Sequence, residues 1–466
     1  MTDIKDLGIP SLAPMDSSEI QSYINGRLQD PIMANSNRLF YRVIVAPTNK
    51  KGADFIDIQK AIDAVNAFGG GIVYITNGTY YITSNITMYS NVRLYGEDNQ
   101  NTFIDGSTSN IKVNLTDLNN IYIKDLQFKN FRSTDGVIYG SGGNILKVEN
   151  CVFTDNSANT GTGIDIYLSG SNVIVESCQS TNAGNFIYLN GGSTRKIISN
   201  NIVTTPYKEA FKGDSTGGAK ALLQNNLVGN AIYPIFGGKF LYSRIISNLS
   251  TYSSATSTGY QGDFTTGSAN VLISNNHFTG GGKGGIRISG SSSFQVNGNN
   301  IAGSGDTGIE LTYSWVCQIT GNRIEGANAK GIRMDNSNCN QISGNYINTS
   351  GANSLEIYNG SYNQVSGNFV STSAGKALDI SGASANSITG NTLSGNGSGN
   401  DAVLLQSSSG DNIITGNWTN GGSSGTTYGV KIDSGCNYNT VVGNRLRGNS
   451  GGYSDSGSVN TIASNT

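Results

Sequence analysis

Two short stretches of this chain set a carboxylate in matching surroundings. Phe211-Lys212-Gly213-Asp214 is echoed by Tyr260-Gln261-Gly262-Asp263. Two carboxyl groups held across a sugar can break a glycosidic bond, one protonating the leaving oxygen and the other activating water. If the two stretches occupy equivalent places on stacked turns, with one turn between them, their backbones stand roughly 9–10 Å apart. Side-chain tilt then brings Asp214 and Asp263 into the roughly 6.5–9.5 Å window of inverting glycosidases. Asp165, two turns before Asp214, and Glu209, close to it in sequence, are alternative members of the pair. The competing reading is that each Gly-Asp is a turn whose Asp caps backbone amides.

The surroundings suit sugars. Between about 205 and 265 the chain holds Tyr207, Lys212, Tyr233, Tyr242, Arg244 and Tyr260. Aromatic rings stack on the apolar faces of pyranoses, while polar neighbours take the hydroxyls. A lyase would instead need a base, and Lys208, Lys212 or Tyr233 would serve with a lowered pKa. Arg244 and Lys239 would then neutralise a uronate; no arrangement in the sequence favours this over hydrolysis. The one histidine, His277, stands alone in Asn276-His277-Phe278 and is read as structural. Five cysteines form no CxxC pair, so no metal or cofactor is expected. Cys151 and Cys178 sit at one repeat position and are expected to stack as buried thiols.

What must position these groups is a repeat. Ile319-Thr320-Gly321-Asn322 recurs as Ile342-Ser343-Gly344-Asn345, Val365-Ser366-Gly367-Asn368 and Ile388-Thr389-Gly390-Asn391. Asn299, Asn322, Asn345, Asn368 and Asn391 lie 23 residues apart. Such a period marks a solenoid. Asn and Gly tolerate the left-handed backbone of a sharp bend, and the Asn amide can satisfy polar groups buried there. The pattern continues less regularly backwards through Asn276, Asn226, Asn201, Cys178 and Cys151, and forwards through Asn417 and Asn444. It blurs most between about 205 and 265, where function is sought.

A second strand precedes each Asn, as in Gly308-Ile309-Glu310-Leu311 and Gly331-Ile332-Arg333-Met334. Period-two alternation turns the apolar residues inward. Arg287, Glu310, Arg333 and Glu356 then alternate in sign up one face, read as an exposed ion-pair ladder.

Ahead of the repeat, Asp57-Ile58-Gln59-Lys60-Ala61-Ile62-Asp63-Ala64-Val65-Asn66 places Ile58, Ile62 and Val65 on one helical face. Gly69-Gly70-Gly71 ends that helix and Ile72-Val73-Tyr74-Ile75 is a strand. A solenoid needs its first turn covered, and this helix is the natural cap. The helix, the following Gly71-Ile72-Val73-Tyr74-Ile75-Thr76-Asn77-Gly78-Thr79-Tyr80, and Ser90-Asn91-Val92-Arg93-Leu94-Tyr95-Gly96 resemble the opening of the pectate-lyase superfamily. That resemblance spans roughly 42–466. It implies a right-handed parallel β-helix, and phage tailspikes are among such proteins. The last turn near Val459–Asn465 is expected to be covered either by another chain or by a further domain, and the resemblance to tailspikes, which implies a homotrimer, fits the first. The family's usual catalytic signatures and its calcium-holding acidic cluster do not stand out.

Composition agrees. Charged residues are 13%, prolines 6 of 466, and the net charge is −2 with no basic run, which disfavours disorder and nucleic-acid binding. No apolar run suits membrane insertion, and the first residues lack the core of a secretory signal. The expected architecture is all-β: a right-handed parallel β-helix of about fourteen rungs of 22–28 residues with an N-terminal capping helix. Residues 1–45 are read as a lead-in or attachment segment and 46–466 as the β-helix domain. The expected function is binding and depolymerisation of a polysaccharide by a tailspike-like protein in a virion tail or outside the cell. The alternatives are a secreted lyase or uronate epimerase, or a non-catalytic adhesin.

Overall fold

The computed structural model describes residues 41–466 apart from 48–51, 157–162, 191–195, 215–216, 232–233, 253–258, 396–398 and six single positions. The expected lead-in segment lies almost wholly outside the described residues. The chain divides into two compact units, Met1–Tyr207 and Lys208–Thr466. Each is built from parallel strands coiling through three sheets, and the solenoid is right-handed. Among the described residues, no helix is long and apolar enough to cross a membrane.

In the first unit the predicted helix forms as Ile58–Ala67. Asp57 caps it by accepting from the Lys60 amide at 2.9 Å. It buries Ile58, Ala61, Ile62, Ala64 and Val65, the face expected from their spacing. The strands Tyr41–Val45 and Gly71–Ile75 pair in parallel next to it. Inside the coil, Phe128, Phe153 and Phe186 pack one above another with centroids 5.4 and 6.2 Å apart. Cys151 and Cys178 are buried free thiols, as expected.

In the second unit one turn runs Gln318–Thr320, Arg323–Ala327, Lys330–Asp335, and returns at Gln341–Ser343 to lie beside Gln318–Thr320. These three strands define a first, second and third sheet. Ile319, Ile324, Ile332 and Met334 point inward and are fully buried, and equivalent residues repeat in each turn. Each buried aliphatic chain contributes about 1.5–3 kcal/mol.

The bend between the first and second sheets holds the repeat's asparagine. Asn322 donates through Nδ2 to Val296 O at 2.8 Å and to Asn345 Oδ1 at 3.0 Å, and its backbone amide reaches the same Oδ1 at 2.9 Å. The pattern runs from Asn226 to Asn465. The left-handed residue is the one before: Gly321 has φ 62° and Gly344 φ 63°. Asn200, Asn225 and Asn275 take that role in the Asn-Asn turns. Gly and Asn therefore divide the two tasks the sequence assigned to both. A second ladder, not foreseen, runs through Asn340, Asn363, Asn386 and Asn412 at the bend from the third sheet to the first.

Asn345→Ala takes the acceptor from the Asn322 backbone amide and the side-chain donor from the Ile319 carbonyl inside the wall, while Asn322 Nδ2 keeps Val296 O and Thr320 O. At roughly 1–3 kcal/mol for each buried unsatisfied group, the urea midpoint of this variant falls markedly. That of Gln318→Ala, on the solvent side of the first sheet, stays put.

Candidate functional site

The outer face of the third sheet in the second unit gathers the chemistry. Strand pairing sets Lys212, Gly237, Asp263, Arg287, Glu310, Arg333, Glu356 and Asp379 in one axial row. Each has a buried apolar neighbour in its strand, such as Phe211, Phe236, Phe264, Ile286, Ile309, Ile332, Leu355 or Leu378, so alternation turns this row outward.

At the start of the row Gly237 has no side chain, and Glu209 occupies the space. A Cβ at Gly237 would stand 2.5 Å from Glu209 Cγ and 3.3 Å from Oε1. Lys212 Nζ lies 3.9 Å from Glu209 Oε2. Asp263, on the next turn, accepts both arms of the Arg287 fork, from Nε at 2.8 Å and Nη2 at 2.7 Å. Arg287 also lies 5.0 Å from the centre of the Tyr260 ring. The Tyr260 hydroxyl donates to the Glu310 carboxylate, and burial together with that carboxylate pushes the phenol pKa well up. Glu209, Lys212, Asp263 and Arg287 all remain partly open to solvent.

Of the residues singled out from sequence, Glu209, Lys212, Asp263 and Tyr260 come together here. Tyr260 is buried, so it positions Arg287 and Glu310 instead of stacking on a sugar. Asp214 is a correction. Phe211 lies opposite Phe236, and Phe236 opposite Gly262. Asp263 is thus level with Lys212, and the assumed match of Asp214 to Asp263 is two residues out of register. Asp214 is buried past the end of its strand and accepts from the Gly217 amide at 3.0 Å, the capping role that competed with catalysis.

Asp165 is the second correction. It is 1% exposed inside the first unit, where Ser180 Oγ donates to it at 2.5 Å and Asn156 Nδ2 at 3.0 Å. Tyr207 is half-buried in the same unit, its amide bonded to Ala183 O at 2.8 Å. Tyr242 and Arg244 belong to another side of the second unit: Arg244 is the exposed first residue of a first-sheet strand and lies beside Leu222 and Leu272. Tyr233 lies outside the described residues. His277 is on the second sheet, where Asn300 Nδ2 lies 3.0 Å from its Nδ1.

Further along the row, sequence reasoning expected an exposed ladder. The alternation of sign is there, but the carboxylates are largely buried: Glu310 is 9%, Glu356 8% and Asp379 5% exposed. Arg333 contacts Glu310 and Glu356 at 3.3 Å and Asp335 at 2.9 Å, and Lys330 meets Glu356 at 2.7 Å. Asp379 accepts from Asn353 at 2.8 Å and Gln406 at 2.9 Å. Burial holds its carboxyl above the ordinary range despite the opposing pull of Lys376. The overlooked signal was a second row: Lys330, Asn353 and Lys376 also recur every 23 residues, three positions ahead of the first, and two adjacent rows cover each other. Among the described residues, no three His, Cys, Asp or Glu side chains are grouped to hold a metal ion.

Three family descriptions match parts of the chain. "Rhamnogalacturonase A/epimerase, pectate lyase-like" covers 50–231, "Periplasmic copper-binding protein (NosD)" 237–370, and "Right handed beta helix region" 307–466. The resemblance to pectate-lyase-like β-helices is borne out. No match was found among curated proteins. Among solved structures, a PL6 alginate lyase in complex with a trisaccharide shares 15% identity at a TM-score of 0.52, over 76% of this chain and 86% of its own. Tailspike protein 3 of bacteriophage CBA120 shares 13% identity at 0.43, over 79% and 65%. A periplasmic alginate epimerase shares 10% at 0.41, over 75% and 78%. At these identities the likeness is one of fold, and the fold is one on which polysaccharide-acting proteins are built.

Burial pushes the Asp165 carboxyl from 3.8 up to about 7. The folded protein then keeps a proton that the unfolded chain releases, so this group's contribution to stability is fully present below about pH 4 and is lost as pH rises through about 7. Asp165→Asn removes that loss. Its melting temperature exceeds that of the parent clearly at pH 8 and by less at pH 5.

Proposed function

We propose that this protein binds a polysaccharide on the outer face of the third sheet and cleaves it with Glu209 and Asp263. One observation carries the reading: the Glu209 side chain lies over the bare backbone of Gly237, in the same row as Asp263 and one turn away. One turn is roughly 4.8 Å. That is nearer the roughly 5–5.5 Å of retaining glycosidases than the wider spacing expected from sequence. Asp263, oriented by the Arg287 fork, suits the nucleophile, because each oxygen keeps a further lone pair. Glu209 suits the acid. It protonates the glycosidic oxygen as an Asp263 oxygen bonds to the anomeric carbon and the leaving sugar departs. It then takes a proton from water, which displaces Asp263. Arg287 and Lys212 border this site, and Tyr260 holds Arg287 in place.

A lyase reading has one observation in its favour, the Lys212 ammonium beside Glu209, next to where a sugar would lie. The lyase and epimerase among the structural neighbours are compatible with it. The wider reading is a tailspike-like homotrimer working in a virion tail or outside the cell, with residues 1–45 as its attachment segment.

Digestion of a glycan panel with product analysis tests the reaction. Hydrolysis gives reducing ends with the anomeric configuration retained, followed by proton NMR. An unsaturated, ultraviolet-absorbing product would mean elimination instead. Glu209→Gln and Asp263→Asn each lower the cleavage rate by about 10²–10⁴-fold, whereas Asp214→Asn cleaves like the parent. Full activity in both of the first two variants overturns the pair.

A further inference from the structure

We propose that the corner between the third and first sheets of the second unit carries a separate saccharide-binding cradle, formed by Tyr313, Trp315 and Tyr362 around Asn336 and Asn338. The inference takes its ligand class from the polysaccharide reading but does not depend on the catalytic pair.

Register assembles it. Trp315 bridges to Asn338 on the next turn, and Cys339 N bonds to Ser361 O on the turn after. Tyr313 N bonds to Asp335 O, and Asn336 N to Tyr358 O. Aromatic residues therefore occupy the first and third of three successive turns, and asparagines the middle one. The two aromatic turns stand roughly 9.6 Å apart, which leaves room for a pyranose ring above the amides.

Three features meet at this corner. Tyr313 is 62%, Trp315 50% and Tyr362 68% exposed, an unusual concentration of open rings on a soluble surface. Next, the indole N–H of Trp315, the hydroxyls of Tyr313 and Tyr362 and the Asn338 amide nitrogen have no hydrogen-bond partner among the described residues. Finally, Val316 and Tyr362 hold left-handed backbone at φ 57° and 58°, at a turn position taken elsewhere by Asn270, Ser293, Cys339, Ala385, Asp411, Tyr438 and Val459. Bulky side chains fit that conformation poorly, and strain of this kind concentrates at binding sites.

The chemistry selects a neutral sugar. The rings offer faces for its C–H surface, and the free amide, indole and hydroxyl groups take its hydroxyls. The adjacent charge, Asp335, is already met by Arg333 at 2.9 Å and Asn336 at 2.7 Å. A protein partner covering these rings would also have to satisfy several neutral polar groups, which a sugar ring does by itself.

The chain has two tryptophans, Trp315 and Trp418, so in a Trp418→Phe background the emission reports the cradle alone. That protein is titrated with neutral gluco-, manno- and galacto-configured hexasaccharides. A saturable blue shift with at least one of them is expected. Tyr362→Ala weakens it on the order of tenfold, about 1.4 kcal/mol, while Glu209→Gln leaves it unchanged. Emission unmoved by all three sugars overturns the cradle, even if a polymer is still cleaved at Glu209 and Asp263. A shift that depends on protein concentration without sugar, and vanishes in Tyr362→Ala, also overturns it and makes the corner a contact between copies of the chain. Loss of cleavage with the blue shift intact would instead count against the catalytic reading alone.

Discussion

The constraint on which the second unit depends is that a coil this narrow bends its backbone inside its own wall. Polar groups at each bend are cut off from water, and an unpaired one there costs more than a hydrogen bond contributes. The asparagine ladder meets that constraint. Asn345 accepts from the backbone and side-chain amides of Asn322 and donates back to Ile319 O. Each rung is satisfied only by its neighbours, so no rung can slip without leaving several groups orphaned. Stability in such a stack is shared between adjacent turns.

That locked register is also what makes the outer surface chemically meaningful. Residues far apart in sequence become axial neighbours at one strand spacing. Arg287 meets Asp263, and Arg333 meets Glu310 and Glu356, because the bends behind them align. Where two such rows lie side by side, they bury one another. Asp379, covered by Asn353 and Gln406, has its carboxyl pushed up by burial on a face that alternation alone would call exposed. Where the row lacks a side chain, at Gly237, a neighbouring carboxylate moves in. Partly buried pairs of this kind are screened less by solvent than ordinary surface ion pairs.

The interior shows the same logic with an opposite outcome. Most inward positions are Ile, Val, Leu or Phe, yet Asp165 is held there by two neutral partners, Asn156 and Ser180. A buried carboxylate so placed keeps its proton to higher pH than it would in water.

The sequence by itself determined the scaffold. A 23-residue period, Gly-Asn bends, alternating strands and the amphipathic Ile58–Ala67 cap are local patterns, and local patterns survive without coordinates. It also brought Glu209, Lys212, Asp263 and Tyr260 into one candidate region, because the period visibly fails there. Only the tertiary structure decided which of those residues share a face. Between residues 205 and 265 the turns differ in length, so a matching tetrapeptide could not say whether Asp263 stands level with Asp214 or with Lys212; the strand pairing chose Lys212. Burial was likewise out of reach. Whether Asp165 faces in, Tyr260 lies beneath Arg287, or Glu356 is covered by Lys330 depends on neighbours one or more turns away, a distance that sequence order does not measure.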